Sequence, residues 1–160
     1  KVGDCIFIPA GVVHALGAGL VIAEIQQASD TTFRLYDWKR LGADGQPRPL
    51  HIEQSLNAID YEIGPVNPVR PPVIEEAVSQ RETLVSCDKF VLERWQLRGP
   101  KKIGGDDRCY LICVLQGEVV VEGDLGQALR TGETVLIPAC SSSVLSPSGD
   151  STVLVACLPS

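Results

Sequence analysis

Histidine is scarce in these 160 residues. There are two, His14 and His51, so at most two imidazoles can serve as bases or metal ligands. An excess of basic residues is missing as well: 14 Lys and Arg stand against 20 Asp and Glu, a net charge of -6. Without a basic field, docking on nucleic acid or on an anionic membrane is not expected. A small anionic substrate would have to be held by local arginines. None of the six cysteines forms a C-x-x-C pair, and a chain that is 44% hydrophobic can bury a core without disulfide staples. The thiols are therefore read as reduced, which places the protein in the cytoplasm. No stretch approaches the ~18–20 apolar residues of a membrane helix, and no signal peptide is visible.

What the sequence does have is strand signals. Short apolar runs at 5–8, 20–26 and 31–36 are bounded by breakers or polar turns. Residues 51–61 (HIEQSLNAIDY) carry the one convincing helix, with Ile52, Leu56 and Ile59 at helical spacing. Residues 64–72 (GPVNPVRPP) hold four prolines in nine positions, which excludes regular structure and marks a linker. Strands resume at 83–86 and 89–97, and a Gly/Lys-rich turn is read at 99–105. Strand and turn then alternate through 110–115, 118–122, 127–129 and 134–137, the rhythm of a sandwich or small barrel. The fold class is mainly β, with one short helix.

A repeat organises the chain. Residues 2–10 (VGDCIFIPA) and 131–139 (TGETVLIPA) share one pattern at an offset of 129. Gly and an acid make a turn, four residues make a strand, and Pro-Ala ends it. Two copies imply two similar β domains. The second copy follows a hairpin, VLQGEVVVEGD; no such hairpin precedes the first, so the first domain is expected to lack its front strands. The division expected is 1–62, a Pro-rich linker at 63–80, and 81–160. His14, four residues beyond the first Pro-Ala, becomes Ser143 in the second copy. A residue required by the fold should recur, which favours chemistry over packing for His14. The alternative is a histidine hydrogen-bonded within the core.

The repeated G-[DE]-x4-I-P-A element followed by a histidine resembles the second motif of the cupin superfamily. The match is more specific over 3–61. PAGVVHALGAG, AEIQQASDTTFRLYDW and DGQPRPLHIEQSL resemble segments of the type I mannose-6-phosphate isomerases. The resemblance implies tandem cupin-type jelly rolls, the second metal-free. It also implies a zinc-dependent aldose–ketose isomerisation of mannose 6-phosphate and fructose 6-phosphate.

On that resemblance His14 is a zinc ligand, and Glu24 and Arg34 are catalytic. Arg34 either stabilises an enediolate or grips the phosphate. Arg40 and Lys39 either face the sugar phosphate or lie in a solvated loop. Glu24 could instead pair with a neighbouring base. Asp37 and Trp38 are expected to pack at a domain edge, His51 to be structural, and Asp30 to make a turn. The family's other zinc ligands lie upstream of Lys1, so the chain alone is expected to be inactive. It is also expected to be prone to aggregate, to dimerise, or to associate with the missing N-terminal part. The alternative function is a non-catalytic cupin remnant that binds a sugar phosphate or a protein partner.

Overall fold

The computed structural model describes residues 1–29, 31–123 and 126–159, with the backbone alone at Gln127. The turn expected at Asp30, and Asp124 at the end of the VLQGEVVVEGD hairpin, lie outside the described residues. The chain divides into two compact units, Lys1–Cys5 with Pro68–Ser160, and Ile6–Asn67.

Among its described residues the unit containing Pro68–Ser160 carries ten antiparallel strands. In chain order they are β1 (Ile74–Glu75), β2 (Ser79–Ser86), β3 (Val91–Leu97), β4 (Lys101–Gly104) and β5 (Tyr110–Gln116). There follow β6 (Glu118–Glu122), β7 (Gln127–Arg130), β8 (Thr134–Ile137), β9 (Ser142–Pro147) and β10 (Ser151–Cys157). They form a six-stranded sheet, β1-β2-β3-β10-β5-β8, and a four-stranded sheet, β4-β9-β6-β7. The period-2 alternation explains which side chains meet. Trp95, Leu97, Ile112, Val114, Val153 and Val155 of the larger sheet pack against Ile103, Val119, Val121, Leu129 and Leu145 of the smaller. Ile112, Val114, Val119, Leu145 and Val153 have no exposed surface.

Three features of this half differ from the sequence reading. Residues 101–104 are not a turn but strand β4, paired with β9 from Lys101↔Leu145 to Gly104↔Ser142. The cue for a turn, Gly and Lys together, was outweighed by a free sheet edge that could pair them. β9 and β10 lie beyond the last strand read from sequence, and β10 sits between β3 and β5. Two strands also reach into the stretch read as a linker, with β1 at Ile74–Glu75 and β2 beginning at Ser79.

The unit Ile6–Asn67 has one helix, α1 (Ile52–Ala58), and no strand among its described residues. The strands expected at 5–8, 20–26 and 31–36 are not formed. A strand exists only where a neighbour continues its backbone ladder, and among the described residues these segments make only isolated bonds, such as Val69 N–H to Cys5 O and His51 N–H to Arg34 O. Most of their large apolar side chains lie exposed, Val21 and Ile22 among them. The helix also presents Ile52 and Leu56 to solvent, while Ser55 is buried.

The repeat is legible in backbone geometry. Asp4 N–H donates to Lys1 O at 3.1 Å, and Glu133 N–H donates to Arg130 O at 2.9 Å. Val12 N–H donates to Pro9 O at 3.3 Å, and Ser141 N–H to Pro138 O at 3.1 Å. Each pair is offset by the same 129 residues. Gly3 and Gly132, at equivalent places, have φ of 85° and 88°. Both turns recur in both copies; the strand between them is formed in the second only. All six cysteines are free thiols, and no helix among the described residues is long and apolar enough to cross a membrane.

Candidate active site

The site expected from sequence lies in Ile6–Asn67, and its centre is a carboxylate. Asp37 is buried, with 5% of its surface exposed, and three arginines converge on it. Arg48 binds it through Nε to Oδ2 at 2.7 Å and Nη2 to Oδ1 at 2.5 Å. Arg40 donates from Nε and Nη2 to Oδ1 at 3.1 and 2.8 Å. Arg34 Nε lies 3.9 Å from Oδ2. The hydrogen bonds from Arg48, with those from Arg40, outweigh burial and lower the carboxyl pKa to about 2. One anion among three cations leaves a local excess of positive charge.

Backbone geometry explains why these groups meet. Asp37 O accepts from Arg40 N–H at 2.9 Å, closing a turn with Trp38 and Lys39 at its centre. Both central residues have positive φ, 49° and 56°. This is the type I′ geometry that Asn-Gly normally supplies. Non-glycine residues held there carry local strain. The Arg40–Asp37 side-chain pair spans the turn and holds it, and the Arg40 guanidinium lies 5.8 Å from the Trp38 ring centroid.

Arg34 is fixed from the other side by His51. Arg34 N–H donates to His51 Nδ1 at 3.0 Å, and His51 N–H donates to Arg34 O at 2.8 Å. Arg34 Nη1 also donates to Pro49 O at 3.2 Å. His51 precedes α1 and has no side-chain bond capping it; its ring serves Arg34 instead. Gly11, φ 87°, sits where a Cβ would meet Asp60 at 3.0 Å, so the Pro-Ala-Gly turn lies against the end of α1.

Arg34 and Arg40 are thus brought together, with two residues that sequence reasoning missed, Asp37 and Arg48. The signal for Asp37 was its place three residues from each of Arg34 and Arg40. Nothing local pointed to Arg48. Lys39 is exposed at the turn. Glu24 is exposed and makes no hydrogen bond or ion pair among the described residues.

His14 is exposed, and its Nδ1 lies 2.9 Å from Val12 O. A carbonyl only accepts, so Nδ1 is the donor, and in the neutral ring Nε2 then carries the lone pair. That is the tautomer a metal-binding imidazole needs. One such ligand does not make a zinc site, which takes three or four protein donors. Among the described residues no three His, Cys, Asp or Glu side chains converge on a metal-sized point.

Comparison with known proteins gives this geometry a context. No family model matches the chain. It is 36% identical over 141 residues to "Mannose-6-phosphate isomerase ManA" of Bacillus subtilis (strain 168), covering 86% of this chain and 44% of that protein. It is 37% identical over 139 residues to "Mannose-6-phosphate isomerase" of Streptococcus mutans, covering 86% and 43%. Over these residues the chain is similar to mannose-6-phosphate isomerases. It spans less than half the length of these curated relatives. Among solved structures, the mannose 6-phosphate isomerase from Bacillus subtilis matches with TM-score 0.66 at 24% identity, over 80% of this chain and 40% of that one. An RmlC-like cupin from Shewanella frigidimarina matches with TM-score 0.51 at 12% identity, over 57% and 86%. Together with the two sheets, these likenesses give the strands between Ile74 and Cys157 a cupin-type fold.

Proposed function

We propose that this chain is part of an enzyme that interconverts mannose 6-phosphate and fructose 6-phosphate, and that Ile6–Asn67 supplies one wall of its active site. The observation that carries the reading is the cluster of Arg34, Arg40 and Arg48 on Asp37. A phosphosugar brings a dianion, and aldose–ketose exchange builds a second negative charge on oxygen when a proton leaves C2. Guanidinium groups suit both, by forked donation to phosphate and by stabilising an enediolate. Asp37 orients the cluster. Arg40 and Arg48, with Lys39 beside them, hold the phosphate, and Arg34, locked by His51, faces the sugar oxygens. Glu24 is free to carry the proton between C2 and C1.

Zinc, where bound, would polarise the sugar oxygens as a Lewis acid. His14 fits as one ligand through Nε2, and the others would come from outside these residues. The division into a catalytic cupin portion (1–62), a linker (63–80) and a second cupin-like domain (81–160) belongs to the same proposal. So does a cytoplasmic setting, with which six free thiols agree.

The test is sugar-phosphate turnover and bound metal in the protein as its gene encodes it, alongside His14→Ala and Arg34→Lys. His14→Ala is expected to lose the metal and at least a hundredfold in kcat/KM. Arg34→Lys is expected to lose roughly tenfold or more, because an ammonium cannot fork. A His14→Ala protein that keeps both metal and turnover overturns the reading.

A further inference from the structure

His51 and Arg34, 17 residues apart, exchange two hydrogen bonds that differ in kind. His51 N–H donates to Arg34 O at 2.8 Å, a backbone bond that no proton can break. Arg34 N–H donates to Nδ1 of the His51 ring at 3.0 Å, a bond that exists only while Nδ1 carries a lone pair. We propose that His51 is a proton-operated positioning residue: its neutral ring holds Arg34 in place, and a proton on Nδ1 releases it. The effect on turnover rests on the reading of Arg34 as an active-site residue; the release itself rests on the hydrogen-bond geometry alone.

The tautomer follows from the donor. A backbone N–H only donates, so Nδ1 accepts, and in the neutral ring the proton sits on Nε2. A second proton can enter only at Nδ1, where it meets the Arg34 N–H. Two donors cannot share a bond, and the contact is part-buried, so the orphaned N–H is costly to keep in place. The ring has little other work in the fold. It does not cap α1, and its aromatic neighbour is Phe33, edge-on at 6.2 Å between ring centroids.

Three hydrogen bonds tie Arg34 to residues 49–51 among the described residues. Two end on backbone oxygen or start from backbone N–H: Arg34 Nη1 to Pro49 O at 3.2 Å, and His51 N–H to Arg34 O. The third, to Nδ1, is the one that titrates. The guanidinium itself lies at the rim of the cluster, its Nε 3.9 Å from Asp37 Oδ2, whereas Arg40 and Arg48 bind that carboxylate directly. Arg34 therefore depends on its backbone anchors for its direction more than its two neighbours do.

The surrounding charges favour release once the ring is protonated. The segment packed against the ring carries Arg34 and, beyond it, Asp37 with Arg40 and Arg48. On α1 the first turn carries Glu53. Among the described residues no carboxylate pairs with the ring, and Asp37 is already bonded by Arg40 and Arg48. An imidazolium adds a fourth cation to three that share one carboxylate. Imidazoles change charge within roughly pH 5–8, so the device operates near neutrality.

The experiment follows exchange of the Arg34 amide by mass spectrometry in dilute 160-residue chain, at several pH values and corrected for intrinsic exchange. Its protection is expected to fall about tenfold or more between about pH 8 and about pH 5, while amides of β5 and β10 keep theirs. His51→Asn puts an oxygen acceptor near the place of Nδ1 without a titrating group. It is expected to hold the Arg34 amide at both ends of the range, and His51→Ala at neither. Wild-type protection that does not change with pH overturns the proposal, and needs no variant to fold. So does a His51→Asn protein that loses protection as wild type does. Turnover of mannose 6-phosphate is then compared in the protein as its gene encodes it. A sugar phosphate itself titrates near about pH 6, and both proteins share that effect. A steeper acid loss of kcat in wild type than in His51→Asn is expected, and identical acid limbs overturn the positioning role. The exchange signature in a protein without turnover upholds the release and counts against the isomerase reading alone.

Discussion

Asp37 shows how one side chain can decide what its neighbours do. Three guanidiniums held on one carboxylate keep their remaining donors aimed in fixed directions. Asp37→Asn keeps the shape and removes the charge. It is expected to lower kcat/KM at least tenfold, chiefly through KM if the arginines hold phosphate and through kcat if Arg34 acts on the enediolate. Because the folded pKa of Asp37 lies below its ordinary 3.8, its contribution to stability is complete above that value and is lost as pH falls through about 2. Acid unfolding of wild type and Asp37→Asn, followed by circular dichroism, should therefore converge below about pH 2. Tyr110 runs the other way. Its contribution is complete below the ordinary 10.0 and is lost as pH rises through about 12. One phenol absorbance should titrate late in wild type and vanish in Tyr110→Phe. At the strained turn, Lys39→Gly should raise stability by about 1 kcal/mol while weakening phosphosugar binding, which separates the structural cost of Lys39 from its use. Much of this was readable in sequence, since Arg34, Arg40 and Lys39 sit in one short segment. Asp37 as hub was not, because a carboxylate's burial depends on what folds over it, and Arg48 arrives from eleven residues away.

At the scale of elements, turns were more legible than strands. Gly117 lies between β5 and β6 with φ 84°, and a Cβ there would meet Ser151 Oγ at 2.4 Å and Asp150 O at 3.1 Å. Gln-Gly in sequence announces that turn, and glycine alone satisfies both constraints. Gly117→Ala should cost roughly 1–3 kcal/mol, read as a shift in the denaturation midpoint at unchanged slope. Alternation likewise gave β3, β5 and β6, because each buries one face. The misses have a shared cause. β4 and the extended runs of Ile6–Asn67 have ordinary strand or turn composition, and only the presence or absence of a neighbouring edge settles them. The helix was found from its spacing, yet Ile52 and Leu56 are exposed, since periodicity names a face without naming what it meets.

At the scale of the whole molecule, the two units differ in how their backbones are bonded. The ten strands pair in extended ladders, whereas Ile6–Asn67 has one short helix and scattered turns among its described residues. Hydrogen exchange should therefore protect β3, β5 and β10 by orders of magnitude more than residues 12–29. The second unit also exposes Val13, Leu16, Leu20, Val21, Ile22 and Phe33. Apolar surface of that kind drives association. The 160-residue chain is expected to self-associate at micromolar concentration, and a monodisperse monomer by light scattering would contradict this.

The place of β10 has a further consequence, in time rather than in space. It completes two ladders, with β3 from Ser151↔Leu97 to Cys157↔Val91 and with β5 from Thr152↔Gln116 to Cys157↔Tyr110. On a translating ribosome β3 and β5 emerge first and wait with a gap between them. The larger sheet cannot close until residues 151–157 have left the exit tunnel. Closure then joins segments well separated in sequence, from Thr152↔Gln116 to Cys157↔Val91, the kind of distant pairing that slows folding. During synthesis, the nascent chain carries two unsatisfied strand edges that only its own later residues can cap.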